Sequence, residues 1–377
     1  MSVDGLIVVD KPAGMTSHDV VARVRRLART RRVGHGGTLD PMATGVLVLG
    51  IGRATRLLTY LLGADKSYTA TVRLGQSTVT DDAEGEVTAS AAAGRLDDGA
   101  IRAAFADLAG EIDQVPSAVS AIKINGQRAY KRVREGESVE LPARRITIAE
   151  LAVLAIRRPA TAATGATGAT GDAAATRDAT ATGDAAATRD AAATGDAAAT
   201  GATAATGDAA VTGATAATGD AAVTGGAAVG DRDGVATAGE GAVVDVDIDV
   251  RCSSGTYIRA IARDAGAALG VGGHLTALRR TAVGGFTLAE AATLETLAER
   301  AELTGGVAAL APADAARRFL PVRQAEPAEE RVLGHGGPLT PVGIAGPYAV
   351  LGGDGRLIAI VSERDGRARP EIVLAPA

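Results

Sequence analysis

The sequence predicts an α+β protein, with a mixed, largely antiparallel sheet in its main domain and a small, mostly β domain at its C-terminal end. Three observations carry this prediction. Amphipathic helical segments are interspersed with strand-like segments in the N-terminal part, two strand-like segments flank a long low-complexity stretch, and a hairpin pattern follows after about residue 305. A length of 377 residues is sufficient for two domains.

Strand and helix patterns alternate through the N-terminal part. The helix predicted at 19–28 places Val20, Val21, Val24 and Leu27 on one face, with Ser17 as its N-cap. The other predicted elements of this part are strands at 6–9, 46–49 and 67–74 and helices at 53–62 and 101–108.

Two further strands are predicted on either side of the low-complexity stretch, at 145–154 and 244–250. In the second, valine and isoleucine alternate strictly with aspartate, which is typical of a half-buried strand. We expect the two strands to be neighbours whose connecting loop has been greatly expanded, since closure entropy grows only logarithmically with loop length. A helix at 256–269, with Ser253 or Ser254 near its cap, and a hairpin formed by 348–351 and 357–361 complete the prediction.

The segment 159–241 consists almost entirely of alanine, threonine, glycine and aspartate. It contains no aromatic residue, leucine or isoleucine, so it cannot bury enough apolar surface to offset chain entropy. The composition therefore favours a disordered insertion. A repeat solenoid is the alternative, because aspartates recur at a six-residue step, but such solenoids need large apolar residues pointing inward.

Charge and composition exclude several classes of protein. The net charge is −5, but the insertion alone, with ten acidic residues and three arginines, carries −7, so the remainder carries +2 and can hold a basic groove. A single cysteine excludes an intramolecular disulfide framework, and 2 % aromatic residues exclude a broad stacking surface. The sequence has neither a long apolar span nor a secretory signal pattern, so a cytoplasmic protein without membrane attachment is expected.

The stretch from Gly34 to Gly45, Gly-His-Gly-Gly-Thr-Leu-Asp-Pro-Met-Ala-Thr-Gly, is the most informative in the chain. Its glycines permit backbone conformations that other residues avoid, and Pro41 biases Asp40 towards an extended conformation. Such a loop leading into a buried strand commonly holds a functional side chain. Taken alone, Asp-Pro is more often an ordinary turn, and no Gly-Lys-Ser/Thr follows to make a phosphate-binding P-loop.

This stretch resembles the catalytic motif of the bacterial tRNA pseudouridine-55 synthases, the TruB-type pseudouridine synthase family. Four other matching segments occur in the right order, and the resemblance spans residues 5–157 and 242–288. The four segments are Val9–Ser17, Lys66–Ala70, Val115–Gly126, and Cys252–Arg259 running on to His274–Arg280. Five coinciding motifs make the resemblance specific, although it is weak in the C-terminal domain and absent from the insertion.

The resemblance implies an isomerase that detaches one uracil of the tRNA T-loop from its sugar at N1, rotates it and rejoins it through C5. Asp40 would be the catalytic carboxylate and nucleophile, because bond cleavage develops positive character on the sugar. The sequence leaves open whether Asp40 attacks C1′, attacks the base or promotes elimination at C2′. Arg259 would pair with Asp40 and keep it ionised.

The substrate-binding residues follow from the same resemblance. Tyr68 would stack on the target base, Tyr257 would contact the uracil, and Leu278 would line its pocket. His35 would help accommodate the flipped nucleotide. Lys11 would support the loop or touch phosphate, and the sequence does not distinguish these two roles.

Base flipping costs a few kcal/mol, so contacts to the RNA backbone must compensate. Two basic runs qualify, one leading into the Asp40 loop and one in the segment that the family uses to grip RNA. The first comprises Arg23, Arg25, Arg26, Arg29, Arg31 and Arg32, and the second Lys123, Arg128, Lys131, Arg132 and Arg134. In the C-terminal domain only Arg317, Arg318, Arg323 and Arg331 suggest RNA contact.

The expected organisation is a catalytic domain at 1–158 and 242–305, the disordered insertion at 159–241, and a PUA-like RNA-binding domain at 306–377. The resemblance implies a monomer that acts on the T-arm of tRNA with no cofactor, no metal and no obligate protein partner. Two alternatives remain. One is an RNA-binding or RNA-folding protein with secondary or lost chemistry, and the other is the guide-RNA-dependent relative that works within a protein complex.

Overall fold

The computed structural model describes residues 4–117, 141–159 and 242–375, together with the backbone of 123–124 and 127–128. It confirms the predicted fold class, a mixed α+β protein with a small β-rich C-terminal domain. The insertion from residue 160 onward and most of the second basic run lie outside the described residues.

The elements are named here in chain order. The strands are β1 Gly5–Lys11, β2 Val33–His35, β3 Thr44–Ile51, β4 Lys66–Leu74, β5 Gln76–Thr78, β6 Val87–Ser90, β7 Gly110–Gln114, β8 Lys123–Ile124, β9 Gln127–Arg128, β10 Arg144–Arg157, β11 Val244–Cys252, β12 Gly273–Val283, β13 Phe286–Thr287, β14 Val322–Gln324, β15 Tyr348–Leu351, β16 Leu357–Arg364 and β17 Arg367–Val373. The α-helices are α1 Ser17–Leu27, α2 Leu58–Leu61, α3 Asp98–Ala106, α4 Ile258–Ala268, α5 Leu294–Thr304, α6 Pro312–Ala316 and α7 Pro327–Gly334.

The main sheet runs in the order β1-β3-β12-β4-β11-β10-β7, with β2 and β13 paired at its side. Among these described strands only β3 and β12 pair in parallel. β1 and β3 are buried on both faces, which explains their nearly continuous apolar sequences. β4 and β11 alternate instead, with apolar residues in the core and polar pairs such as Arg73–Asp245 on the outer face.

β10 and β11 are antiparallel neighbours, as the sequence predicts for the two strands that flank the insertion. Arg157 pairs with Asp245, so the chain leaves and re-enters the sheet at adjacent positions. β11 then runs from Val244 to Cys252, and the segment that follows Cys252 lies at the opposite end of the strand. The two ends of β11 are roughly 25 Å apart along the strand.

Two predicted helix starts and one predicted helix differ from the structure. Thr16, and not Ser17, caps α1, because Thr16 and Asp19 form a reciprocal capping box. α4 begins at Ile258 after Tyr257, and neither Ser253 nor Ser254 caps it. The helix predicted at 53–62 is a 3-10 helix over Gly52–Leu57 followed by the single turn of α2, since these residues wrap closely around β3.

The C-terminal part forms a separate sheet in the order β14-β15-β16-β17, and the predicted hairpin is β15 and β16. Its apolar residues join one core with the outer face of β1 and β3 and with α6. Polar contacts add to this junction, since Arg53 donates to the Leu374 carbonyl at 2.8 Å and the Tyr60 hydroxyl bonds Glu371 at 2.8 Å. The small domain is thus packed directly on the main sheet.

Candidate active site

The Asp40 loop connects β2 to β3 and is closed by a residue with a left-handed backbone. Gly45 has a φ of +98°, and a Cβ there would lie 2.2 Å from the Arg280 carbonyl oxygen. Only glycine therefore allows β3 to approach β12 this closely. The Arg280 guanidinium, which is 1 % exposed, donates to the carbonyls of Val46 at 2.7 Å and Gly37 at 3.2 Å. Arg280 thus fixes the loop on the sheet.

Two buried side chains hold the loop from the other side. The Ser17 hydroxyl donates to the Leu39 carbonyl at 3.1 Å and accepts from the Leu39 amide at 2.9 Å, which is its function in place of the predicted cap. The Lys11 amine donates to the Pro41 carbonyl at 3.2 Å and to the Pro12 carbonyl at 2.8 Å. Because Lys11 is 0 % exposed, the geometry favours the first of its two predicted roles, support of the loop.

Asp40, Arg259 and Asp82 form a chain of ion pairs. Arg259 Nε lies 3.2 Å from Asp40 Oδ2, and Arg259 Nη1 lies 3.2 Å from Asp82 Oδ2 and donates to the Thr80 carbonyl at 2.9 Å. The exposed fraction is 8 % for the arginine side chain and 3 % for Asp82, but 39 % for Asp40. Arg259 is thus anchored on a buried carboxylate and presents its other edge to a carboxylate that solvent can reach.

A cavity of about 310 Å³ opens beside Asp40. Tyr68, Leu278 and Tyr257, the three residues expected around the uracil, all line it together with Asp40 and Arg259. Its other lining residues include Leu62, Ile258 and Lys66. Apolar and charged side chains share its walls, since Lys66 and Arg280 lie beside the aromatic and aliphatic residues and Asp40 lies at one side. Such a mixture suits a planar ring with polar edges.

Tyr68 lines this cavity next to Arg280. The side chain is 7 % exposed, and burial raises the pKa of its hydroxyl, so the phenol is neutral at physiological pH. Lys66 is also buried, and its amine donates to the Ala64 carbonyl at 2.7 Å. Burial lowers the pKa of Lys66.

His35 lies at the entry to the loop, on β2, and it does not occur among the described residues that line the cavity. Its ring packs edge-on against His18, with centroids 5.4 Å apart, and its buried Nδ1 has no hydrogen-bond partner. Burial is the main cause of a lowered pKa at His35, and the nearby His18 lowers it further. The imidazole of His35 is therefore neutral at pH 7. The geometry leaves His35 outside the immediate surroundings of Asp40.

The first basic run forms an exposed surface on α1 and the segment leading into β2. All six of its arginines are exposed, and within the described residues none of them forms an ion pair with an acidic side chain. In the C-terminal domain, by contrast, Arg317, Arg318 and Arg323 pair with Asp314, Glu290 and Glu329. Arg331, Arg367 and Arg369 of the same domain are exposed and form no ion pair among the described residues. Exposed unpaired arginines therefore lie in both places, and six of them belong to the run that leads into the Asp40 loop.

Sequence reasoning missed Asp82 and the role of Arg280. Asp82 sits in a polar turn, Asp-Asp-Ala-Glu-Gly, that looks like ordinary loop sequence, and only the fold brings it to Arg259. Arg280 is part of a recognised motif, but nothing local predicts an arginine buried in a sheet. In both cases the missing signal is burial, which a single sequence does not display for charged residues.

The buried Cys252 thiol is not an alternative nucleophile. Burial raises the pKa of Cys252 to about 11, so its thiol is protonated at neutral pH. No group of three or more potential ligands among the described residues could hold a metal ion. None of the described helices is long and apolar enough to cross a membrane.

Comparison with protein-family models gives three matches along the chain. The model of the N-terminal domain of "TruB family pseudouridylate synthase" matches residues 25–169. The model "tRNA pseudouridylate synthase B C-terminal domain" matches residues 259–316. The model "tRNA Pseudouridine synthase II, C terminal" matches residues 320–375.

Full-length relatives agree with these models. The chain is 46 % identical to a tRNA pseudouridine synthase B of Arthrobacter sp. over 100 % of its own length and 98 % of the relative's. It is 45 % identical to a tRNA pseudouridine synthase B of Thermobifida fusca, with 99 % of each chain covered. Among solved structures, a chain of a Cbf5-Nop10-Gar1 complex has a TM-score of 0.59 at 21 % identity, covering 99 % of this chain and 85 % of that one, which establishes a shared fold.

Proposed function

This chain belongs to the TruB family of pseudouridylate synthases, and we propose that it converts the uridine at position 55, in the T-loop of tRNA, to pseudouridine. Family membership makes it a tRNA pseudouridine synthase, which is an isomerase. The observation that carries the proposal is the ion-pair chain from Asp40 through Arg259 to Asp82 beside a cavity large enough to admit a flipped nucleobase.

Asp40 is the catalytic carboxylate in this proposal. Cleavage of the N1–C1′ bond requires an ionised carboxylate within reach of the sugar and the base, whether it attacks C1′, attacks the base or promotes elimination at C2′. Arg259 orients that carboxylate through its Nε, which lies 3.2 Å from Asp40 Oδ2. Asp82 anchors the arginine, so Arg259 is fixed in position before substrate arrives.

The cavity residues hold the flipped uracil. Tyr68 stacks on the ring, Leu278 supplies an apolar wall, and Tyr257 contacts the base from the start of α4. The base must leave its stack to reach Asp40, which costs about a few kcal/mol. His35, at the entry to the loop, contacts the tRNA next to the flipped nucleotide.

The exposed arginines of α1 and the segment before β2 bind the phosphate backbone of the T-arm. Their position next to the Asp40 loop, and their lack of acidic partners among the described residues, support this role. We infer that the enzyme acts on its own as a cytoplasmic monomer without a cofactor. The matched relatives are tRNA enzymes by name over the full length of the chain, whereas the likeness to Cbf5 is one of fold.

The proposal is tested with the purified chain alone and an unmodified tRNA transcript labelled with tritium at uridine C5. We expect tritium release and a single pseudouridine, mapped to position 55. A transcript with cytidine at position 55 is the matched control and should release no tritium. A product at another position, or product only when guide RNA or another protein is added, would overturn the proposal. Binding without turnover would favour the RNA-folding alternative.

A further inference from the structure

The side-chain amide of Gln114 makes two hydrogen bonds to the backbone of Tyr257. Its Oε1 accepts from the Tyr257 N–H at 2.8 Å, and its Nε2 donates to the Tyr257 carbonyl at 3.1 Å. Because the backbone amide can only donate and the carbonyl can only accept, both bonds fix the same orientation of the side-chain amide. Gln114 is 2 % exposed, so water does not offer substitute partners.

This contact occupies the start of α4, where the helix has no side chain of its own as a cap. Tyr257 is the N-cap residue and its side chain makes no capping bond. Gln114, the last residue of β7, accepts from the N-cap N–H, a bond that a side chain in the first turn makes in a capping box. Gln114 therefore restrains the backbone at Tyr257, which lines the cavity. Arg259, which contacts Asp40, follows two residues later in the chain.

The chain that follows Gln114 is tied to the same region. Arg263 of α4 donates to the Val115 carbonyl at 2.7 Å. The Ser117 hydroxyl, fully buried, donates to Asp81 Oδ2 at 2.7 Å, in the turn whose next residue, Asp82, holds Arg259. Residues 114–117 thus contact both elements that position the arginine.

We propose that Gln114 is a positioning residue for the isomerisation, which sets the place of Tyr257 and of the Arg259 guanidinium against Asp40. This inference rests on the proposed function of Asp40 and Arg259. Gln114 itself touches neither the reacting atoms nor, by its burial, the RNA. Its loss should therefore slow the chemical step while tRNA binding is retained.

The first test compares Gln114→Ala with wild type in single-turnover tritium release and in tRNA binding. We expect the rate to fall roughly 10- to 100-fold, because a displacement of about 1 Å at a reacting group can cost that much. The dissociation constant for tRNA should stay within about threefold, since the lost interaction acts in the transition state. Asp113→Ala is the matched control in the same strand, because its side chain points to the other face and is 65 % exposed, and its rate should be unchanged.

The second test uses Gln114→Glu and a pH series. A protonated glutamic acid has the same shape as glutamine and can both accept from the Tyr257 N–H and donate to its carbonyl, whereas the ionised form cannot donate. Burial and the facing carbonyl raise the pKa of such a carboxyl above its ordinary value. The rate of this variant, divided by that of wild type at each pH, should rise as the pH falls from about 8 to about 6.

The charged groups around this site include Arg144 on the same strand, Arg263 and Asp264 on α4, Asp81 and Asp82 in the facing turn, and Arg259. All of them are present in every variant, so dividing each rate by the wild-type rate removes their common effect. For Gln114→Ala the same ratio should stay flat with pH. A wild-type rate in a folded Gln114→Ala protein, or a flat ratio for Gln114→Glu, would overturn the inference. An equal loss of tRNA affinity and rate would do so too.

Asp40→Asn is assayed alongside. Turnover by that variant would refute the proposed function of Asp40. The rates of the Gln114 variants, in contrast, test only the positioning function of Gln114.

Discussion

Tyr68 is the aromatic side chain expected to stack on the target base, and ring and hydroxyl can be tested separately. Tyr68 lines the cavity beside Arg280, whose guanidinium is held by the carbonyls of Val46 and Gly37 whether or not the tyrosine hydroxyl is present. Tyr68→Ala removes a stacking surface worth roughly 1–3 kcal/mol per base, so we expect a rate loss of about 10- to 100-fold. Tyr68→Phe keeps the ring and should retain clearly more activity. Equal losses in two folded variants would mean that the ring is not a stacking platform.

Lys11 provides a pH-dependent prediction at the residue scale. Burial lowers the pKa of its amine from 10.5 to about 8, although the charge of Asp40 acts in the opposite direction. Between pH 8 and pH 10.5 the unfolded chain therefore binds more protons at this residue than the folded chain. The free energy of unfolding contributed by Lys11 must consequently rise with pH across that window.

The measurement is chemical denaturation of wild type and Lys11→Met at several pH values. The difference in unfolding free energy should change in favour of wild type as the pH rises from about 8 to about 10.5. Other titrating groups are common to both proteins and cancel in the difference. A difference that is constant with pH would show that the amine titrates normally, and that it is not buried beneath the loop.

At the scale of elements, the packing of β3 on β12 depends on Gly45. Its φ of +98° and the 2.2 Å approach that a Cβ would make to the Arg280 carbonyl predict that Gly45→Ala separates these strands. We expect a loss of about 3 kcal/mol in unfolding free energy, since backbone strain and steric overlap add. Activity should fall as well, because Arg280 braces the Asp40 loop.

Gly366→Ala is the matched control. Gly366 also has a positive φ, +69°, but a Cβ there would meet nothing within 4 Å. Its cost should be about 1 kcal/mol from the left-handed backbone alone, with activity unchanged. Similar losses in the two variants, measured by thermal or chemical unfolding, would contradict the close approach at Gly45.

The elements that the sequence predicts correctly are those with a strong period. β4 and β11 alternate, and α1 repeats its valines on one face, so burial follows from spacing alone. The predicted cap of α1 is wrong because Thr16 and Ser17 are adjacent hydroxyls and either could cap the helix. The predicted cap of α4 is wrong because no side chain of its own caps that helix. Asp40, Arg259, Tyr68, Tyr257 and Leu278 were named from motifs and lie around one cavity. Asp82, Arg280 and Gln114 depend on contacts between distant segments, which no local pattern records.

At the scale of the whole molecule, the insertion leaves the sheet between Arg157 and Asp245, which are paired neighbours. It leaves at the end of β11 that is opposite to the cavity segment following Cys252. Removing residues 160–240 and closing the chain with a short glycine-containing turn should therefore preserve folding and activity. A shorter loop should stabilise the protein by about 1–2 kcal/mol, from the logarithmic closure entropy.

The deleted and full-length proteins are compared by melting temperature and turnover at two salt concentrations. The insertion carries −7, so at low salt its removal should, if anything, strengthen tRNA binding to the exposed arginines. At high salt the two proteins should behave alike. A large loss of stability or turnover on deletion would mean that the alanine-, threonine-, glycine- and aspartate-rich segment is structured or functional.

The most direct test of the account is the turnover of Asp40→Asn. The substitution keeps the size and shape of the side chain but removes the charge that pairs with Arg259 and the capacity to act as a nucleophile. Tritium release from unmodified tRNA should fall below detection, while tRNA affinity should stay within about tenfold of wild type, or 1.4 kcal/mol. Multiple turnover by the folded variant would contradict the assignment of Asp40 as the catalytic carboxylate.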